Sequence, residues 1–211
     1  MKFLRNHWYD LGALLAIGTG IYIWKNFPTL SDYQLLMWLS LIALFIHQLE
    51  EYRIVGTFPG MINTAMFKSS MPDRYPLNTN TSLIINVWVG WVIYFLAAIF
   101  AENCIWLGIA SILVSLGNII AHTFIFNIKG KTIYNAGMAS SWICLAPCVF
   151  CFFKIIWEEN LASTFDYLLG IILGITLNIF VIAGIKIWAK KNTKYNFPKR
   201  NLLAIDRRYE R

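Results

Sequence analysis

The sequence predicts an all-α polytopic membrane protein, about six transmembrane helices in one bundle with both termini cytoplasmic. Three observations carry that expectation. Of the 211 residues, 58% are hydrophobic and 14% charged, against roughly 25% charged in soluble domains, and mean hydropathy is +0.56. Apolar runs occupy about residues 9–24, 33–54, 82–100, 104–128, 138–157 and 164–189, and about 20 residues of helix cross a hydrocarbon core about 30 Å thick. Finally, Lys and Arg collect on alternate connections, with Lys2 and Arg5, then Arg53, Lys68 and Arg74, then Lys129 and Lys131, then the tail from Lys190. The intervening connections hold little beyond Lys25 and Lys154 beside Asp32, Glu102, Glu158, Glu159 and Asp166. The positive-inside rule places the basic set in the cytoplasm, and the chain divides into a membrane domain, 1–189, and a basic tail, 190–211.

The first run follows the short basic lead "MKFLRNHWYD" and so has the outline of a signal peptide. No small-residue cleavage site follows, and "IYIW" ends the run with interfacial aromatics, so a retained helix is expected. The second run passes without a turn signal from "YQLLMWLSLIALFI" into His47, Glu50 and Glu51. After it comes the longest connection, residues 55–82, broken by Gly56, Pro59, Gly60, Pro72 and Pro76. Its "MINTAMF" is apolar enough to lie in the interface, which suits a lid over the helix ends as well as an ordinary linker. Cys144, Cys148 and Cys151 recur at helical spacing in the fifth run and read as packing residues. Asn178 in the sixth run reads as an interhelical hydrogen bond, and the nine tryptophans as an aromatic belt. No internal repeat suggests an inverted-repeat transporter.

The net charge of +7 lies mostly at one end, in "KKNTKYNFPKRNLLAIDRRYER". A basic tail beside a membrane sits on anionic headgroups, so the expected partners are membrane lipids and no nucleic acid is expected. The expected location is a bacterial cytoplasmic membrane.

Polar groups recur at one depth. His47 and Glu51 stand four residues apart on one helix face, with Glu50 in the same arc, and His47 lies about 10 Å from its helix end at 1.5 Å per residue. Asn118 and His122 repeat that spacing in the fourth run, Asn86 falls in the same half of the third, and Tyr134 and Asn135 enter the fifth. Intramembrane ionisable groups mark functional sites by default. Two imidazoles and carboxylates on facing helices are the ligand types of zinc, iron or manganese sites in helical bundles. The sequence therefore offers His47, Glu51 and His122 as ligands of a divalent metal (Zn, Fe or Mn), and Glu50 as fourth ligand or catalytic general base. Asn86, Asn118, Tyr134 and Asn135 would support the ligands or bind substrate. His7 and Asp10 either border this site or anchor the interface.

"HQLEE", followed by "YRIVGTFPG", "NIIAH" and "YNAG", resembles the HXXEE-domain family of polytopic membrane proteins over roughly residues 40–140. The resemblance implies one integral-membrane domain and supplies no reaction. A looser likeness connects Glu50, Glu51 and His122 to the CAAX-processing intramembrane proteases. Against it, the arginine follows the Glu pair too soon, as "EEYR", and no late His has an Asn four residues on.

Three functions fit these residues. One is a metal-dependent enzyme, hydrolase or oxidoreductase, acting on a lipid or lipid-linked substrate at the cytoplasmic leaflet. Another is a metal-free glutamate-type intramembrane hydrolase or protease. The last is a proton or cation transporter using the same His/Glu relay.

Overall fold

The computed structural model describes residues 2–208, so Met1 and the last three residues of the expected tail lie outside the described residues. The described chain is helical, with no strand. We number its main helices α1 (Lys2–Asn26), α2 (Asp32–Ile54), α3 (58–66), α4 (Thr79–Ile99), α5 (Ile105–Gly130), α6 (Met138–Glu158) and α7 (Thr164–Ile187). Among the described residues five helices, α2 and α4 to α7, are long and apolar enough to cross a membrane. The first is long enough but more polar, because its helix begins at Lys2 and includes Arg5, His7 and Asp10.

Side chains set several helix starts. Ser31 accepts a hydrogen bond from the Gln34 amide at 3.1 Å ahead of α2. Asn78 accepts from the amides of Asn80 and Thr81 ahead of α4, and Ser163 and Asp166 form a capping box on α7. Each cap satisfies amides that lack a partner in the first turn.

Helix α2 is the centre of the bundle. In its most apolar stretch 61% of residues are buried, against 28–39% in the other four, and it touches α1, α4, α5 and α6. Helix α7 lies against α5 through small residues at four-residue spacing: a Cβ on Gly170 would come 2.6 Å from Ile109 Cβ, and one on Gly174 2.8 Å from Leu113 Cβ. Close approach of this kind drives helix association where there is no water to exclude. One turn on, Asn178 donates to the Leu113 carbonyl at 3.1 Å, the interhelical bond expected of it. The four cysteines are free.

Two features position the site. Helices α2, α4, α5 and α6 each contain a π-helical turn, at Glu50–Ile54, Ile84–Trp91, Ala121–Ile125 and Ser141–Leu145. Such a turn inserts a residue and re-aims the side chains around it, and it recurs at functional sites. The second feature is the closure of one end of the bundle by the long connection and the tail. Phe58 of α3 stacks on His122 with ring centres 5.8 Å apart, so the 55–82 segment covers the polar cluster. The tail is tied down over it: the Phe197 amide donates to the Asp73 carbonyl at 2.7 Å, and buried Asn201 donates to the carbonyls of Tyr52 (3.0 Å) and Gly56 (2.5 Å). The backbone at Leu202 and Leu203 fits against Gly60, where a Cβ would lie 2.6 Å from the Leu203 nitrogen.

Candidate metal centre

Two of the chain's three histidines meet between α2 and α5. The ring centres of His47 and His122 are 4.8 Å apart, edge to face, and the two residues are 1% and 0% exposed. Glu51, one turn beyond His47 and 4% exposed, directs Oε1 to within 3.7 Å of His47 Nε2 and 3.3 Å of His122 Nε2. One donor atom from each of the three lies within 4.8 Å of the others. Bonds of 2.0–2.2 Å to a tetrahedral ion put ligand atoms about 3.4 Å apart, so the group can hold a metal with small side-chain shifts.

The neighbours of the imidazoles decide where their protons are. Asn135 spends its Nδ2 on two acceptors, the His122 carbonyl at 2.7 Å and Asn127 Oδ1 at 2.8 Å. Its Oδ1 therefore faces His122 Nδ1, 2.6 Å away, and the imidazole must donate there. On the other ring, His47 Nδ1 lies 3.1 Å from Ser140 Oγ, whose single proton goes to the charged Glu50 Oε2 at 2.5 Å rather than to the Gly137 carbonyl at 3.2 Å. Ser140 can then only accept from His47. Both rings are thus held as Nδ1–H tautomers, with an electron pair on each Nε2. Neither buried Nε2 has a hydrogen-bond partner among the described residues. Two imidazole nitrogens and a carboxylate oxygen thus converge on one point. Buried polar atoms ordinarily find partners, and a cation is the partner this donor set fits.

Glu50, 6% exposed, points away from that point. It accepts from Tyr134 Oη at 2.6 Å, from the Ser140 amide at 2.7 Å and from the Ala139 amide at 3.4 Å, besides Ser140 Oγ. Burial, and then the bond to Glu50, push the Tyr134 hydroxyl up to about 12. Asn118 donates to the Val114 carbonyl of its own helix, while Asn86 accepts from Gln48 Nε2 at 3.1 Å and donates to the Ser82 carbonyl at 2.9 Å. Both amides line a cavity of about 90 Å³ beside Glu51, walled otherwise mainly by apolar side chains of α2, α4, α5 and α7. A cavity of this size has room for water. His7 and Asp10 pair at 2.8 Å, and Asp10 also meets Arg53 at 3.2 Å, which ties the start of α1 to the end of α2.

Ser140, Gln48 and Gly137 escape a reading by residue type. Serine and glutamine in a membrane helix signal little by themselves, although Gln48 lies inside "HQLEE" and is fixed by Trp91 Nε1 at 2.6 Å. Gly137 has φ +101°, and a Cβ there would overlap the His122 ring and stand 2.9 Å from His47 Cε1. Its clue is its place after Asn135 in "YNAG".

Fold and site together define a helical membrane protein with a buried His/Glu/His centre. Residues 38–152 match the family described as protein of unknown function with HXXEE motif. The match spans more than half of the chain, which belongs to that family; the motif's three named residues are His47, Glu50 and Glu51. No curated protein and no solved structure matches the chain.

Proposed function

We propose that the protein is a metal-dependent membrane enzyme acting on a lipid or lipid-linked substrate near the cytoplasmic leaflet of a bacterial membrane. The observation that carries this reading is the convergence of two Nε2 atoms that make no hydrogen bond and Glu51 Oε1 within 4.8 Å. Three protein ligands of His₂Glu type are a catalytic pattern, because a fourth position stays open for water or substrate; structural sites close all four. A divalent ion held there would acidify water or polarise an ester or phosphoryl oxygen, and iron would support oxidation with the same donors.

The chain's own groups supply the rest. Asn135 and Ser140 keep both imidazoles in the ligating tautomer. Glu50 orients His47 through Ser140 and stands as the nearest carboxylate beyond the ligands. The small cavity beside Glu51, with Gln48, Asn86 and Asn118 on its wall, has room for water next to the centre, and Phe58 of α3 stacks over His122.

Turnover tests the proposal. Purified protein reconstituted in vesicles of its own host's lipids should convert a lipid detectable by mass spectrometry. Chelation should stop the conversion, and readdition of one of zinc, iron or manganese should restore it. Conversion that survives chelation would support the metal-free hydrolase instead, and pH-dependent cation flux without conversion the transporter.

A further inference from the structure

The end of the bundle that holds the chain's first residues carries a second, separate feature. Residues of α1, the start of α4 and the tail enclose a cleft of about 500 Å³ lined by Arg5, Arg53 and Arg200. It adjoins another of about 470 Å³ lined by Lys2, Arg5 and Lys194. The two share Arg5, Asn6, Thr79 and Asn196 on their walls, and among the described residues no carboxylate lines either. Packed rings divide them from the His/Glu centre. Trp8, on the wall of the first cleft, meets Tyr52, on the wall of the cavity beside Glu51, with centres 4.8 Å apart.

The cations here are aimed by neutral groups. The Arg5 guanidinium donates to Asn80 Oδ1 at 3.3 Å and lies 4.0 Å over the Tyr195 ring, and Arg200 donates to Tyr9 Oη at 2.8 Å. Asp10, nearby, is engaged by Arg53 and His7. Asn80 and the two tyrosines fix the direction of two guanidinium forks without adding a negative charge, and among the described residues neither fork has a carboxylate partner. A planar fork held in place by neutral partners is suited to bidentate recognition of an oxyanion, and an aromatic ring behind a guanidinium holds it without discharging it.

We infer that these joined clefts bind a phosphate group, with Arg5 and Arg200 as its principal contacts and Lys2, Arg53 and Lys194 around it. The phosphate comes either from an anionic lipid headgroup in the adjoining leaflet or from a soluble phosphate. Because tail residues Tyr195 and Arg200 form part of the wall, occupancy would also hold the tail against the bundle.

The test is native mass spectrometry of the full chain released from detergent containing equal phosphatidylglycerol and phosphatidylcholine. Wild type should retain one phosphatidylglycerol in preference to phosphatidylcholine. Removing each charge should weaken retention about fivefold, as about 1 kcal/mol per basic residue requires, so the Arg5→Gln, Arg200→Gln protein should lose it. Lys2 and Lys194 are exposed, so Lys2→Gln, Lys194→Gln gives the same reading without disturbing a packed side chain. Lys129→Gln, Lys131→Gln, outside the clefts, should change nothing. Millimolar inorganic phosphate that displaces the lipid from wild type identifies the soluble source, and failure to displace identifies the headgroup. Equal retention of both lipids by wild type, or an equal fall in the Lys129, Lys131 variant, would overturn the inference.

Discussion

Replacing Asn135 by Leu tests the account where it is most specific, because the side chain keeps nearly its size and loses all its polarity. Asn135 is 4% exposed and makes three bonds of 2.6, 2.7 and 2.8 Å, to His122 Nδ1, the His122 carbonyl and Asn127 Oδ1. At about 1 kcal/mol net for each, with buried partners left unpaired, the substitution should cost about 2 to 4 kcal/mol of stability. It should also free the His122 ring to turn and to exchange tautomers, and losing such an orienting partner usually lowers metal affinity about 10- to 100-fold. The assay is competition for zinc against a chromophoric chelator, read beside thermal unfolding of the same samples. Asn135→Asp separates the two effects. It keeps an acceptor opposite Nδ1 and loses both donations, so its stability should fall as far while its affinity falls less. Affinity unchanged within twofold in Asn135→Leu would refute the tautomer reasoning.

Two further substitutions follow from the same geometry. Gly137→Ala forces a side chain into φ +101° and onto both imidazoles; backbone strain of about 1 to 3 kcal/mol and overpacking of about 1 to 3 kcal/mol should lower the unfolding temperature and the zinc affinity together, and a normal affinity would show that the rings are not held by this contact. Glu50→Gln leaves His47, Glu51 and His122 in place, so elemental analysis should still find metal while turnover drops; loss of the metal would make Glu50 a ligand, and undiminished turnover would leave it a structural carboxylate.

Much of this was legible in the sequence, for physical reasons that differ by element. The ends of α2 and α4 to α7 follow the apolar runs within about three residues, because hydrocarbon admits backbone only where its hydrogen bonds close internally. The meeting of His47, Glu51 and His122 was readable from i, i+4 spacing and common depth. The lid reading of 55–82 rested on "MINTAMF" and the breakers around it, and α3 now lies over His122.

Other features need the third dimension. Ser140 stands just ahead of a π-turn and meets both His47 and Glu50, contacts across 90 residues or more that no spacing rule reveals. The tail reads as a row of charges, yet Phe197, Asn201 and Leu202 are 7%, 2% and 3% exposed, since amide and apolar residues between the lysines dock it on the bundle. The polar opening of α1 likewise serves contacts with Asn80, Arg53 and Arg200 that its own composition does not announce.

The central claim, that His47, Glu51 and His122 hold a metal ion, is tested most directly by elemental analysis of the purified wild-type protein beside a His47→Ala, His122→Ala variant. The account predicts about one equivalent of zinc, iron or manganese in the wild type, as three ligands converging on one point imply, and almost none in the variant. A wild type without metal, or a double variant that retains as much, would contradict it.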